Sequence, residues 1–293
     1  AVRRILYGIY YEVNSGQTLA ESYKEYPADF PKILVSMVQV GEKTGDLKSA
    51  ITEIVEYFEA QYRLKSSIQS TLMMPVIYLV VGFGVAIFLL VAVMPQFASM
   101  FESMDSVEMP AITALFINVG DFVIGNAVFL VLGVVLYVIL LVYSYRKSRR
   151  FRRFISYMAI RMPILGQVVI LNNLSRIAST LSQMLNNHIP LQECLATTYD
   201  TLGNRIYQEL IVQAQKNVNA GDYMSAAFEQ HYAVEVVFVR MVSVGERTGD
   251  LGTMLNNLSE FYNEDSDIKI ERLKKSLEPI LLIFIFSLIS LLL

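Results

Sequence analysis

The chain has 293 residues, of which 54% are hydrophobic and 17% charged, and its formal net charge is −3. A soluble globular domain carries about 25% charged residues, so this chain has too few charges for an ordinary water-exposed surface. The apolar content excludes a disordered chain, the single cysteine excludes an internal disulfide framework, and the small net charge does not suggest nucleic-acid binding. The composition is typical of a membrane protein.

Residues 1–71 are predicted to form a helical domain exposed to water. A sequence motif, GEKTGDL, begins at Gly41 and introduces a helix whose apolar residues form one stripe. Gly41 suits the left-handed conformation that closes the preceding helix. Either Thr44 or Asp46 can cap the next helix, and Gly45 permits a tight turn between the two. The motif is therefore predicted to be the corner of a helical hairpin.

Three apolar blocks follow, at residues 72–94, 122–145 and 279–293. A helix needs about 20 apolar residues to cross the hydrocarbon core of a bilayer. The first two blocks are long enough, whereas the third is short, and by its length alone it equally fits a buried core helix. We expect three transmembrane helices, the third truncated. Because the chain starts at Ala1, not at a methionine, we interpret it as a fragment.

Charges between these blocks predict the orientation. The loop at 95–121 contains only acidic charges, namely Glu102, Asp105, Glu108 and Asp121. A basic cluster follows the second block and consists of Arg146, Lys147, Arg149, Arg150, Arg152 and Arg153. Since positively charged loops remain in the cytoplasm, we expect a cytoplasmic N-terminus, an acidic loop outside and a second cytoplasmic helical domain at 146–278.

The basic cluster has a second expected role besides setting the orientation. Arginine and lysine side chains close to a bilayer attract anionic lipid head groups, so we expect membrane lipid among its partners. A basic run can also bind nucleic acid. We favour the topology anchor that also contacts lipid.

An internal repeat joins the two halves of the chain. The motif at 41–47 recurs at 245–251 as GERTGDL, and the same offset of 204 residues carries Pro75 onto Pro279. Upstream, Gly16 matches Gly221 after insertion of one residue. The second motif supplies Gly245, Glu246, Thr248, Gly249 and Asp250. We infer duplication of a unit that contains soluble helices and one membrane helix.

The alignment of the two copies also bears on where the first copy begins. Because Gly16 matches Gly221, Ala1 falls near Ile206 in the second copy. The first helices of the N-terminal domain are therefore expected to be missing from this sequence.

The acidic residues of the two corners admit two interpretations. Glu42 and Glu246 can accept hydrogen bonds from backbone N–H groups left free at a helix start. Alternatively, together with Asp46 and Asp250 they form an acidic contact for another protein. A catalytic role is not indicated, because no histidine, cysteine or other nucleophile accompanies them.

The start of the third block carries two further candidates. Glu278 is an ionisable residue at the predicted cytoplasmic edge of a span, where such a group is a functional candidate; it can otherwise pair with Lys274 or Lys275. Pro75 and Pro279 each remove a backbone hydrogen bond. A proline there either starts a helix, which we favour, or permits a kink.

These features together resemble the polytopic inner-membrane platform proteins of type IV pili and type II secretion systems (the GspF, PilC and ComGB group). The resemblance depends on the doubled motif, on Glu278-Pro279, on the run from Arg176 to Leu191, and on the order soluble, membrane, membrane, soluble, membrane. Two positions depart from the expected pattern. His188 stands where the family often has glycine, and Met74 stands where the second copy has Glu278.

The resemblance implies an all-α protein with three transmembrane helices and two repeated cytoplasmic helical-bundle domains. It implies a scaffold without catalytic, cofactor or metal residues, which couples a hexameric assembly ATPase to the insertion of pilin or pseudopilin subunits into a filament or to their extraction. Other inner-membrane assembly components and further copies of the chain are expected partners, and nucleic acid is not. The alternative is a membrane transporter built from a duplicated unit, which the scarcity of polar residues in the apolar blocks disfavours.

Overall fold

The computed structural model describes residues 2–93, 95, 96, 118, 122, 125–162, 165–229 and 231–292. Throughout these residues the regular structure is helical and contains no strand, which confirms the predicted all-α class. The acidic loop lies almost entirely outside the described residues, and so do Glu102, Asp105, Glu108 and Asp121.

The described helices follow one another closely. Their bounds are α1 (Val2–Asn14), α2 (Leu19–Lys24), α3 (Lys32–Thr44), α4 (Leu47–Phe88, continued by a π-helical turn at Leu89–Val93), α5 (Ala127–Lys147), α6 (Arg149–Arg161), α7 (Leu165–Asn186), α8 (Leu191–Thr201), α9 (Arg205–Asn219), a 3₁₀ turn (Met224–Ala227), α10 (Val236–Thr248) and α11 (Leu251–Leu292). The described parts of the three apolar blocks are mainly helical: the first lies on α4 and its π-helical turn, the second lies on α5 from Ala127 onward, and the third lies on α11.

Local sequence explains several helix ends. Thr18 and Glu21 form a reciprocal capping box at the start of α2. Asn204 caps α9 by accepting a hydrogen bond from the Ile206 N–H at 2.9 Å. At the end of α7, His188 adopts a left-handed φ of 60°, the conformation that a glycine adopts without strain. The helix end therefore accommodates histidine at the position where the family often has glycine.

The described chain divides into two compact units. Unit 1 contains Ala1–Ser67 and Arg153–Lys269, and unit 2 contains Ile68–Arg152 and Ile270–Leu293. Unit 1 has one hydrophobic core built from both sequence segments. Ile33, Met37 and Tyr57 contribute from the first segment, while Leu181 and Tyr262 are among the fully buried residues of the second. The two segments that we expected to form separate cytoplasmic domains therefore share a core.

Polar contacts also join the two segments of unit 1. The Tyr57 hydroxyl and Thr180 Oγ1 share a buried hydrogen bond of 3.0 Å. At the edge of the core, Asn187 Nδ2 donates to Glu53 Oε2 at 2.6 Å. Because an unpaired buried hydroxyl is expensive to desolvate, the Tyr57–Thr180 pair specifies how α4 and α7 meet as well as contributing to stability.

Unit 2 exposes apolar side chains in a way that water does not favour. Phe129 on α5 is 76% exposed and Phe286 on α11 is 68% exposed. The helix Leu47–Val93 is long and apolar enough to cross a membrane, and a shorter apolar stretch lies at Val135–Tyr145. Extended apolar surfaces of this kind mark contact with lipid or another protein. The described residues thus contain at least one helix suited to a bilayer.

A bent pair of helices is also long and apolar enough to cross a membrane, but it lies in different surroundings. It consists of α6 and α7, which are bent by 110° relative to one another. Leu174 and Ile177 on α7 are completely buried in the core of unit 1. The apolar character of α7 is therefore explained by the core.

The two prolines lie inside helices, so the favoured interpretation of a helix start is wrong. Helices α4 and α11 are each 42 residues long. Pro75 follows Leu47 by 28 residues, and Pro279 follows Leu251 by the same 28 residues. The proline at each position removes one i to i−4 hydrogen bond, and the apolar helix continues beyond it in both cases.

Replacing Tyr57 with phenylalanine is expected to lower the free energy of unfolding of unit 1. The variant leaves the buried Thr180 hydroxyl without its partner, which costs about 1–3 kcal/mol. The matched control is Tyr62→Phe on the same helix, since Tyr62 is 72% exposed and its replacement should change stability by less than about 0.5 kcal/mol. Denaturant unfolding of the detergent-solubilised chain measures both, and equal stabilities for the two variants would contradict the prediction.

Candidate functional site

Both motif corners have the same backbone geometry, which differs in one respect from the prediction. The left-handed residue is Gly45 after α3 and Gly249 after α10, with φ values of 80° and 77°. Gly41 was expected in that position, but it lies inside α3, so this expectation is wrong. Gly41 is needed because a Cβ there would lie 2.8 Å from the Ala50 Cβ and 3.1 Å from the Leu47 Cα.

Gly245 has the corresponding role in the second corner. A Cβ on Gly245 would lie 2.9 Å from the Leu251 Cα, closer than real side-chain contacts allow. The first glycine of each motif therefore lets two successive helices approach closely, and the second glycine makes the turn between them.

Of the two candidate caps in the first corner, the structure selects Asp46. Its Oδ1 accepts a hydrogen bond from the Ser49 N–H at 3.0 Å, at the start of α4. Thr44 instead donates its hydroxyl back to the Val40 carbonyl at 3.0 Å. Thr248 does the same toward Val244 at 2.9 Å. The motif threonine thus closes its own helix, and the aspartate supports the next one.

The motif glutamates bind backbone N–H groups. One carboxylate oxygen of Glu42 accepts from the Leu19 N–H and the other from the Ala20 N–H at 3.0 Å. These two amides belong to the first turn of α2 and have no acceptor within that helix. Glu42 therefore supplies acceptors from outside the helix to two backbone donors that would otherwise have none.

Glu246 repeats this arrangement in the second half. Its oxygens accept from the Met224 N–H and from the Ser225 N–H at 3.0 Å, which begin the 3₁₀ turn. Leu19 and Met224 are the equivalent residues once the single insertion upstream is included. Each carboxylate thus binds backbone amides at the start of a helical segment that precedes the motif, not at the start of the helix that follows it.

These contacts determine which of the corner acids has a free carboxylate oxygen for another protein. Both oxygens of Glu42 and of Glu246 are engaged internally and both residues are partly buried, which favours the backbone-binding interpretation. Asp46 and Asp250 lie on the surface.

Tyr23 is affected by the carboxylate of the first corner. Burial raises the pKa of Tyr23, and the negative charge of Glu42 raises it further.

Glu278 lies in a different environment, within unit 2. It lines a cavity of about 200 Å³ together with residues of α4 and α11. The other lining residues are Thr71, Met74, Pro75, Tyr78, Lys274, Leu277 and Leu281. In the part of the chain that the structure describes, no ion pair joins Glu278 to a lysine, and Lys275 instead approaches Glu271 at 4.0 Å. The carboxylate of Glu278 is exposed and available.

The basic cluster is used in several ways. Lys147 donates to the Tyr143 hydroxyl at 2.8 Å at the end of α5, and Arg153 forms an ion pair with Glu209 at 3.3 Å. Arg150 is exposed. The side chains of Arg146 and Arg149 lie outside the described part of the structure.

Comparison with known proteins identifies the family. The family model described as type II secretion system (T2SS), protein F, matches residues 1–95 and 177–293, which include both motif corners and both 42-residue helices. This chain belongs to that family. The resemblance inferred from the doubled motif is thereby confirmed.

Proteins similar to this chain include type IV pilus assembly proteins and type II secretion system proteins. The chain is 29% identical to the type IV pilus assembly protein PilC of Myxococcus xanthus over 283 residues, which cover 97% of this chain and 67% of the relative. It is 29% identical to PilC of Thermus thermophilus over 287 residues, covering 97% and 69%. It is 28% identical to type II secretion system protein F of Vibrio cholerae over 272 residues, covering 92% and 65%.

The partners of the corner glutamates could have been found from the sequence. The sequence from Gly16 to Leu19 matches that from Gly221 to Met224, so an equivalent loop precedes the motif glutamate in each half. What concealed the contact is the separation along the chain, which is 23 residues for Leu19 and Glu42 and 22 for Met224 and Glu246.

Replacing Glu246 with glutamine is expected to destabilise the start of the 3₁₀ turn. The neutral amide keeps one acceptor for two backbone donors, so the loss should be about 1–3 kcal/mol. Hydrogen exchange should show faster exchange of the Met224 and Ser225 amides. The control is Glu264→Gln, an exposed residue of the same unit, which should leave those amides unchanged. Unaltered protection of both amides in the Glu246 variant would contradict the assignment.

Proposed function

We propose that this chain is a non-enzymatic inner-membrane platform protein of a type IV pilus or type II secretion machine. In this role it couples a cytoplasmic assembly ATPase to the movement of pilin or pseudopilin subunits into or out of a filament. The observation that carries the proposal is the family match over both corners and both long helices. Similarity to a type IV pilus assembly protein and to a type II secretion system protein supports a role in pilus assembly or secretion.

The shared core of unit 1 constrains the membrane topology that we propose. Its two chain segments, Ala1–Ser67 and Arg153–Lys269, are in contact and must therefore lie on the same side of any bilayer. The intervening residues then cross the membrane an even number of times. Crossings by the blocks at 72–94 and 122–145 satisfy this condition, and the basic cluster assigns the shared side to the cytoplasm.

We further propose that the two halves arose by duplication of a soluble bundle with an attached membrane helix. The support is geometric as well as sequential. Each half has a long helix of 42 residues, a proline at the same position in it, and a glutamate that binds two backbone amides before it. A third crossing at 279–293 follows from the equivalence of α11 with α4.

The exposed acids are the corner groups that we assign to partner contacts. Both oxygens of Glu42 and of Glu246 are engaged by backbone amides in partly buried positions, so the proposed ATPase contact is limited to the exposed Asp46 and Asp250. Asp46 uses one oxygen to cap α4, which leaves its other oxygen for a partner. Glu278 is assigned to the pilin-facing side, because it lines a cavity between two apolar helices and an ionisable group there requires a polar partner.

Replacing Glu278 with glutamine is expected to reduce filament assembly or secretion about tenfold or more, which corresponds to the loss of one charge-assisted contact of about 1.5–3 kcal/mol. The cellular amount of the protein should not change, since the residue is exposed. Glu271→Gln, on the same helix, is the matched control and should support normal assembly. Normal assembly by the Glu278 variant would reject its assigned role.

The wider proposal is tested by affinity purification of the tagged full chain from native membranes. We expect a hexameric cytoplasmic ATPase and a pilin-like subunit to copurify, and Asp250→Lys to weaken retention of the ATPase about tenfold while the melting temperature stays unchanged. Recovery of the chain without either component would contradict the proposed function. Retention of the ATPase by the Asp250 variant would reject only the assigned contact.

A further inference from the structure

Helix α6, Arg149–Arg161, has one face fixed to unit 1. Ser156 and Ile160 are buried on this face. The Ser156 hydroxyl accepts from the Arg205 N–H at 3.1 Å at the start of α9, while the Arg153–Glu209 ion pair adds a second attachment to α9. Ile160 lies against α7 so closely that a Cβ on Gly166 would be 2.1 Å from its carbonyl oxygen. These contacts prevent α6 from rotating to bury its opposite face.

The opposite face is apolar and exposed. Phe154 is 59% exposed, Ile155 37%, Met158 49% and Met162 47%. With about 100° of rotation per residue, Phe154, Ile155 and Met158 fall within one stripe along α6, and Met162 follows directly after its last residue. Single exposed apolar residues are ordinary on a protein surface, whereas a contiguous row indicates an interaction surface. The four side chains are called the α6 stripe below.

The charge around the α6 stripe is positive. The helix begins with four arginines in five residues and ends with Arg161, whose guanidinium lies over the Tyr157 ring at 4.5 Å. A helix with an apolar face and arginines on its polar side is the pattern of segments that lie in the plane of a membrane interface. An acidic protein groove with an apolar floor would also complement this surface. The direct connection of α6 to the apolar helix α5 favours a membrane over such a groove.

Chain connectivity places the α6 stripe near a bilayer. Helix α5 is an apolar helix of 21 residues ending at Lys147, and α6 starts at Arg149. Phe154 follows Lys147 by seven residues, a distance of about 11 Å along a helix. If α5 crosses the membrane, as the proposed function requires, the stripe is within reach of the lipid head groups on the same side as unit 1.

We propose that α6 lies in the cytoplasmic interface of the membrane, with the α6 stripe inserted at the boundary of head groups and acyl chains and the exposed Arg150 and Arg161 bound to anionic lipid phosphates. Unit 1 is thereby held against the lipid surface at a second point besides its connections through the long helices. This surface lies in 149–162, outside the two segments that match the family model.

The test places a fluorescent label on the α6 stripe of the full chain reconstituted in lipid vesicles. Phe154→Cys and Met158→Cys provide the labelling sites, because the native Cys194 is completely buried and burial raises its pKa to about 12. The control is Asn257→Cys, exposed on α11. Asn257 precedes Pro279 by 22 residues, about 33 Å along a helix.

With part of the lipid carrying a quencher on its acyl chains, labels at 154 and 158 should be quenched at least threefold more than the label at 257 and be protected from aqueous iodide. Equal quenching at all three sites would overturn the proposal. Shielding that appears in native membranes but not in vesicles of pure lipid would also overturn it, in favour of a protein partner.

A second comparison tests the arginines separately. Vesicles with one third phosphatidylglycerol should quench labels at 154 and 158 at least twofold more than vesicles of phosphatidylcholine alone, because an anionic surface attracts arginine side chains. Equal quenching in the two lipids would reject the phosphate contacts. Circular dichroism confirms that each labelled variant is folded. Recovery of the full chain from native membranes without the ATPase and without a pilin-like subunit, alongside the expected lipid quenching, would contradict the proposed function alone.

Discussion

One partly buried carboxylate organises each half of unit 1. Glu42 and Glu246 bind the free amides at the start of a helical turn more than 20 residues earlier in the chain, and so tie a loop to the corner between two helices. A charged group held by two N–H donors is directional in a way that apolar packing is not. Replacement by an apolar residue would leave both amides without an acceptor. The path of the chain into both long helices depends on this contact.

Around these corners the two halves form one core, and this has a consequence for the membrane. Tyr57 and Thr180 meet in the interior although more than 120 residues, including two apolar blocks, separate them. A contact of this kind requires both segments to be on one side of the bilayer. The charge distribution assigned the same side to both segments, so packing and electrostatics agree on the topology that we propose. That topology is also the one on which the proposed membrane contact of the basic helix α6 depends.

Short-range features of the fold were predictable from the sequence, and long-range ones were not. The helical class, the turn at Gly45 and capping by Asp46 follow from residue preferences that act over four or five positions. The role of Gly41 was mistaken because close approach by the next helix selects glycine as strongly as a left-handed φ does. The position of Pro75 was mistaken because local rules end a helix at proline, whereas surrounding structure can sustain the helix past it. The shared core depends on pairing between distant segments, which periodicity within one helix does not report.

The central claim is that the two soluble segments form one body on one face of the membrane. It is tested most directly by cross-linking cysteines placed at Ser36 and Glu193, whose side chains share a hydrogen bond of 3.1 Å, in a Cys194→Ala chain within intact cells. A short permeant thiol cross-linker should join the pair within one chain, and an impermeant thiol reagent added outside should not block it. The account would be contradicted if no cross-link formed, if it formed only between two chains, or if the external impermeant reagent blocked it.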